Sequence, residues 1–254
     1  MKVVVVDHTE EVTQEQVQTL AEALGVTAFD ARQRLVCQGP VVVSTQADDL
    51  QAETFLHKLR DGGFEAFIVD VETAQTKRPV FFVKSFVFGS DEIRFTDQGG
   101  RNVSIPYPKI RLILPSLRSM AQTETNTVTE KKLSVGKTLM TGGIPMTKKV
   151  TRKETITTDD RERMLYLCAN NGARVLCGQE SMSYEGFGGE MKPSREMNFN
   201  MFVTKIRESC PDAVFDERLA QRAGQVKLLG PTLNPYTYID LAVDILVASF
   251  SNNS

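Results

Sequence analysis

The sequence contains no tryptophan and only two histidines, His8 and His57, while its four cysteines are scattered along the chain. No Cys-x-x-Cys pair occurs, and without ligand spacing the sequence predicts neither a metal site nor a bound cofactor. We interpret the cysteines as reduced thiols of a cytoplasmic protein, because cysteine is one of the most frequently buried residue types. Cys168 and Cys177 fall in predicted strands, where we expect them to pack in the core, whereas His57 is expected in solvent.

Long hydrophobic runs are also missing. The four consecutive valines Val3–Val6 are too few for a signal peptide or a membrane span. The longest apolar segment near the other end of the chain, Leu241–Phe250, is interrupted by Asp244. Its length predicts a buried helix, so we expect no transmembrane segment.

The chain has little net charge, with 30 basic side chains against 32 acidic ones. The net charge of −2 and the isoelectric point near 5.8 argue against nucleic-acid binding over the whole surface, although a local basic contact remains compatible with them. A chain of 254 residues is long enough for one large domain or two ordinary ones.

Residues 1–73 show strand and helix patterns in alternation, which predict a β-α-α-β-α-β unit. Lys2–Val6 is typical of a buried strand, and Thr13 with Gln16 three residues later predicts the capped start of a helix. A second, short helix is expected to bury Phe29, Leu35 and Val36. The predicted elements after the first helix are a helix over Thr27–Val36, a strand over Val41–Val43, a helix over Ala47–Asp61 and a strand over Phe64–Val71.

Several short motifs in this unit resemble those of a known domain family. They are Leu24-Gly25-Val26, Ala31, Leu35-Val36, Gly39-Pro40, and the helix that runs into Gly62-Gly63 before a strand. In this order they make residues 1–71 similar to the C-terminal domain of the large-subunit ribosomal stalk protein. The resemblance implies the fold alone. The stalk family presents a lysine- and glycine-rich helix to translation GTPases, whereas the corresponding helix here contains Phe29-Asp30-Ala31-Arg32-Gln33-Arg34.

Residues 79–118 predict a β-meander. Val80–Phe88 carries four phenylalanines and predicts one strand, Asp97-Gln98-Gly99-Gly100 predicts a hairpin turn, and Leu112–Leu114 predicts a last strand. The meander is faintly similar to part of a bacterial pleckstrin-homology-type barrel. We favour an extension of the first sheet.

Residues 154–254 predict a smaller lobe of helices and strands. The lobe begins with a hairpin over Met164–Cys177 that turns at Asn170-Asn171-Gly172. Met182, Tyr184 and Phe187 predict a further strand. Helices are expected over Ser194–Ser209, Asp216–Ala223 and Pro235–Phe250. The fold class is therefore α+β with two lobes, 1–118 and 154–254, the first of which we expect to fold alone.

Residues 119–153 predict a flexible basic connector between the lobes. Within Val128–Lys153 there are seven basic residues and one acidic residue, Glu130. Such a stretch attracts phosphate groups, although it is also compatible with a solvated linker. The candidate phosphate or partner contacts are Lys131, Lys132, Lys137, Lys148, Lys149, Arg152 and Lys153.

No catalytic residue is assigned. Gly136-Lys137-Thr138 suggests a nucleotide-binding loop, but that motif needs a glycine five residues before Gly136, where Lys131 stands. Isolated carboxylates lie in polar surroundings, and we interpret Asp216 with Arg218 as a structural ion pair.

These observations favour a non-enzymatic cytoplasmic interaction or regulatory module whose partner is a protein. The first alternative is a phosphate-contacting protein that binds RNA, the ribosome or DNA through the basic connector. The second is an enzyme of unrecognised type, whose site would be assembled from residues far apart in the sequence.

Overall fold

The computed structural model describes residues 1–8, 11–36, 38–72, 80–133 and 147–252, with the backbone alone for 119–160. The protein is α+β, as predicted. It falls into two compact units: residues 1–118 together with 162–254 form the first unit, and residues 119–161 form the second. The predicted first lobe and nearly all of the predicted second lobe therefore belong to one unit.

The first unit begins with a three-stranded antiparallel sheet in the order β2-β1-β3. The element order is the predicted one, and the capping box at the start of α1 is present, with Thr13 accepting from the Gln16 amide at 3.2 Å. The elements are β1 (Lys2–His8), α1 (Gln14–Leu24), α2 (Ala28–Arg34), β2 (Gly39–Gln46), α3 (Asp49–Asp61) and β3 (Glu65–Asp70).

Both faces of this sheet are buried, which explains the unbroken run of valines in β1. Val4 and Val6 pack in one hydrophobic core with residues of α1, α2 and α3. Val3 and Val5 point to the opposite face and join a different core, which contains residues from the end of the chain. With both faces covered, each position from Val3 to Val6 favours an apolar side chain, so the alternation of apolar and polar residues is lost.

The prediction that α2 buries Phe29 and Val36 is wrong, because 69% of Phe29 and 64% of Val36 are exposed. The helix ends at Arg34, so Val36 is not on it, and the residue that α2 buries is Ala31. Leu35, just after the helix, contributes the larger apolar contact and is buried.

The predicted single strand Val80–Phe88 is two strands in different sheets. Its halves are separated at Val83-Lys84, and the first half lies at the edge of a sheet, where 59% of Phe82 is exposed. The second half starts a three-stranded antiparallel sheet, and its next two strands are joined at the predicted turn. Among the described residues, none of these strands pairs with β1–β3, so the expected sheet extension is wrong. The strands are β4 (Val80–Phe82), β5 (Ser85–Phe88), β6 (Glu92–Thr96) and β7 (Asn102–Pro106).

A further sheet has the described strand order β11-β8-β9-β10-β4. The predicted hairpin at Asn170-Asn171-Gly172 is confirmed, since β9 and β10 pair antiparallel with Cys168 opposite Arg174. The prediction of a flexible connector over 119–153 is corrected in part, because residues 119–133 and 147–153 lie in strands β8 and β9. Residues 134–146 are outside the described residues. The new strands are β8 (Ile110–Leu133), β9 (Thr147–Ala169), β10 (Arg174–Gly178) and β11 (Val214–Phe215).

Three further helices complete the first unit: α4 (Arg195–Ser209), α5 (Arg222–Leu229) and α6 (Ile239–Asn252). Ser194 caps α4 as predicted. The helix expected over 216–223 begins later, at Arg222, because Asp216 and Arg218 bond to each other in the preceding loop. The strand expected from Met182, Tyr184 and Phe187 is wrong: these side chains are buried, but Glu185–Glu190 forms a 3-10 helix.

The two faces of the long sheet belong to two hydrophobic cores. Alternate residues of β9 show this, since Met164, Tyr166 and Cys168 pack with α5, α6 and the first sheet. Leu165 and Leu167 pack on the other side with α4 and strands β5–β7. Helix α6 therefore lies between two sheets, which is why its sequence is apolar on nearly all sides.

This arrangement predicts that residues 1–118 do not fold alone, contrary to the expectation from sequence. The core around Val3, Val5 and Leu114 is completed by Tyr166, Ile245 and their neighbours, which the fragment lacks. We expect the isolated fragment to unfold without a cooperative thermal transition and to bind anilinonaphthalene sulfonate strongly, as chains with exposed apolar surface do. Circular dichroism and dye fluorescence, with the full chain as control, make the comparison. A sharp transition and no dye binding would contradict the shared core.

Candidate functional site

A groove of about 830 Å³ lies in the first unit, where the β9–β10 hairpin meets the C-terminal end of α6. This volume is in the range of small-molecule sites, roughly 300–1,000 Å³. Its apolar lining comes from five strands, one helix and the hairpin turn. The apolar residues are Phe81 of β4, Val103 of β7, Leu112 of β8, Cys168 and Ala169 of β9, Ala173 of the hairpin, Val175 of β10, and Val247 and Phe250 of α6.

The groove also has polar lining residues. They are Arg111, the hairpin tip Asn170-Asn171, Arg174 and Ser251. The side chain of Arg111 is exposed and has no hydrogen-bond or ion-pair partner in the described part of the chain. A cation beside apolar surface, with no carboxylate to neutralise it, is suited to an anionic group on an otherwise apolar ligand.

Arg174 is different, because it is buried and paired. It is 5% exposed and forms an ion pair with Asp244 of α6, whose side chain is 7% exposed. The Nη2 atom of Arg174 has no hydrogen-bond partner among the described residues. Burying two charges costs several kcal/mol each, so the attraction within the pair must offset that cost, and losing one partner is more costly than keeping both.

Other polar contacts fix α6 along its length. The Tyr166 hydroxyl donates to Asp240 Oδ1 at 2.7 Å, and Arg118 lies 3.3 Å from the other carboxylate oxygen. Burial and the neighbouring Asp240 carboxylate raise the pKa of the Tyr166 phenol far above its usual range, so the hydroxyl keeps its proton. Near the other end of α6, Ser249 donates to the buried Asp7 of β1. The side of α6 that lines the groove is thereby held on two sheets.

The residues predicted as phosphate or partner contacts lie elsewhere, in the second unit. Lys131 and Lys132 are in β8, whereas Lys148, Lys149, Arg152 and Lys153 are in β9. Lys137 lies outside the described residues. The two strands are neighbours in their sheet, but the positions of these side chains are not described, so their role stays a prediction.

The predictions for cysteine are confirmed where the residue is described. Cys168 and Cys177 are buried core residues. Burial raises the pKa of the Cys177 thiol well above its ordinary value and that of Cys210 to about 11, which disfavours the reactive thiolate. His57 is exposed, as expected. The ion pair Asp216–Arg218 is also confirmed, with Arg218 Nε 2.8 Å from Asp216 Oδ2.

Sequence reasoning did not find the groove. Its lining residues Arg111, Asn170 and Val247 come from three separate regions of the sequence. The hairpin turn at 170–172 was predicted as a turn, but not as part of a binding site. Asp244 was noticed as an interruption of an apolar run. A lone carboxylate in such a run is a signal for a buried partner, but nothing in the sequence selects Arg174 as that partner.

Comparison with known proteins adds no relative: no family model, no curated protein and no solved structure matches this chain. The similarity of residues 1–71 to the ribosomal stalk domain therefore stays a prediction. Of the helices that the structure describes, none has the length and apolar character needed to cross a membrane. Within the same residues, no three His, Cys, Asp or Glu side chains come together in a way that could hold a metal ion.

The Arg174–Asp244 pair predicts an asymmetric response to mutation. Arg174→Met should lower the free energy of unfolding by about 3–5 kcal/mol, because the Asp244 carboxylate stays in the core without its cation. Adding Asp244→Leu should recover much of this loss. Urea denaturation measures both variants. The control is Arg94→Met, which breaks an exposed pair with Glu92 and should cost less than about 1 kcal/mol. A double variant less stable than Arg174→Met would contradict this account.

Proposed function

We propose that this chain is a non-enzymatic regulatory module that binds an amphipathic molecule, with an apolar body and one carboxylate-type head group, in the groove. The observation that carries the proposal is the position of Arg111, a cation with no described partner, beside an apolar lining from six strands and helices. The partner of this module would therefore be a small molecule, and not the protein that the sequence suggests.

The apolar body is supported by the side chains of the groove. Val247 and Phe250 of α6 face the groove together with Phe81 and Val103 of two other elements. Each Å² of apolar ligand surface that they cover contributes about 25 cal/mol, so a chain of several methylene groups is enough for measurable affinity.

The head group is supported by charge and by hydrogen-bonding capacity. Arg111 offers a planar guanidinium that matches a carboxylate with two parallel hydrogen bonds. Asn170 also lines the groove and adds an amide donor. No carboxylate lines the groove among the described residues, so nothing there competes with an anionic ligand.

A binding role is favoured over catalysis by the state of the thiols. Cys168, which lines the groove, is 4% exposed, and the raised pKa values of Cys177 and Cys210 disfavour nucleophilic attack by either. Three buried thiols also fit a reducing compartment, which supports the expected cytoplasmic location.

The test compares decanoate with decanol, which share an apolar body and differ in the head group. Calorimetric titration of the full chain should show tighter binding of decanoate. Arg111→Gln should weaken decanoate about tenfold, the value of one charge-assisted hydrogen bond, and leave decanol unchanged. Ala173→Phe should weaken both ligands by filling the groove.

The matched control is Lys192→Gln, which removes an exposed positive charge from a residue that does not line the groove. It should leave decanoate affinity unchanged. The proposal fails if wild type binds the acid and the alcohol equally, or if Ala173→Phe has no effect on either ligand.

A second candidate function, contact with a phosphate polymer, is favoured by the neighbouring positions of β8 and β9. This pairing brings the strand that carries Lys131 and Lys132 beside the strand that carries Lys148, Lys149, Arg152 and Lys153. Basic residues on two adjacent strands concentrate positive charge more than the same residues on a single extended strand do.

Replacing Lys148, Lys149, Arg152 and Lys153 together by Gln should therefore weaken binding to a short DNA duplex. The log–log salt slope should flatten by up to roughly 3–4 units, since each phosphate contact releases about one counterion. Fluorescence anisotropy at several salt concentrations measures the slope. A second quadruple variant controls for overall charge by removing four exposed positive charges of the first unit, at Lys58, Lys109, Lys192 and Lys227. A slope equal to wild type in the β9 variant would contradict phosphate contact by these strands.

A further inference from the structure

A second pocket, distinct from the groove, lies in the first unit between α4, the strand residues Pro115-Ser116 and the loop that follows β11. Its volume is about 330 Å³. We call it the arginine pocket, because Arg163 of β9 and Arg207 of α4 both line it. Asn200, Thr204 and Ser116 add amide and hydroxyl groups, so half of its lining side chains can hydrogen-bond.

Both arginines are held by aromatic rings and not by carboxylates. The Cζ atom of Arg163 lies 5.3 Å from the ring centroid of Phe199, and that of Arg207 lies 4.0 Å from the ring centroid of Phe215. Neither forms an ion pair in the described part of the chain. A guanidinium stacked on a ring keeps its edge N–H donors available, since the ring contacts only its flat face.

Ser116 supplies an independent sign that the pocket receives a ligand. It is 3% exposed, it lines the pocket, and its hydroxyl has no hydrogen-bond partner among the described residues. A buried hydroxyl without a partner costs about 1–3 kcal/mol, so such groups are rare unless a ligand or an ordered water satisfies them.

One carboxylate in the lining reduces the positive charge of the arginine pocket. Glu217 lines the same pocket and is exposed. It makes no ion pair with either arginine within the described residues, so two cations and one anion leave a net positive pocket. An anion that bound there would be repelled by Glu217, which gives the site a residue whose removal should improve binding.

From these contacts we propose that the arginine pocket binds the phosphate group of a small phosphorylated molecule. Two guanidiniums and one hydroxyl suit a tetrahedral dianion, which has more acceptor oxygens than a carboxylate and a higher charge. The pocket volume leaves room for a small organic group beyond the phosphate. The site shares no lining residue with the groove, so the two sites are tested by different variants.

The test titrates the full chain with inorganic phosphate at constant ionic strength, followed by NMR chemical shifts, with acetate as the monovalent comparison. Phosphate should bind more tightly than acetate. Arg163→Gln and Arg207→Gln should each weaken phosphate about tenfold, and Ser116→Ala should weaken it several-fold. Glu217→Gln should strengthen it several-fold, because a like charge is removed.

Three comparisons make the outcome decisive. Lys58→Gln, an exposed charge on α3 far along the sequence, should change nothing, and Arg111→Gln should leave phosphate binding intact even if it abolishes binding in the groove. If an Arg→Gln variant fails to fold, Arg163→Lys and Arg207→Lys keep the charge and should still weaken phosphate through loss of the planar donor edge. The proposal is overturned if phosphate and acetate bind alike, or if Lys58→Gln weakens phosphate as much as the arginine variants do.

Discussion

The burial of α6 between two sheets is the constraint on which the first unit depends. Its apolar side chains complete the core that begins at Val3 and Val5 and continues to Tyr166. At Asp244 the helix is covered on every side, and this carboxylate is therefore matched by the buried Arg174. The two ends of the chain are joined by the same helix, through the contact of Ser249 with Asp7.

This packing also determines where ligands can be bound. Because β9 gives alternate side chains to two cores, the sheet has α6 on one side and α4 on the other. The groove opens where α6 ends and can no longer cover the strand residues. The arginine pocket opens on the α4 side, where the core gives way to Arg163 and Arg207. Each site therefore lies at the edge of one of the two hydrophobic cores.

Local features of the fold were predictable from the sequence, and long-range ones were not. The capping box of Thr13 and Gln16, the turn at Asn170-Asn171-Gly172 and the helix capped by Ser194 depend on residues a few positions apart, and each was predicted. The break at Val83-Lys84 was missed, because the apolar run continues across it while the strand changes sheets. The pairing of Arg174 with Asp244 joins residues 70 positions apart, and no periodicity encodes such a choice.

The arginines show why the sites in particular escape sequence reasoning. Arg174 and Arg218 are neutralised by Asp244 and Asp216, whereas the groove and the pocket contain arginines without such partners. In the sequence, nothing near these residues shows which of them has a carboxylate partner in the fold. What separates them is the described partner of the guanidinium, which is a carboxylate for Arg174 and Arg218 and an aromatic ring for Arg163 and Arg207. Arg111 has neither among the described residues. A ring contacts the cation without consuming its donors, so Arg207 over Phe215 keeps N–H groups that an anion could accept from.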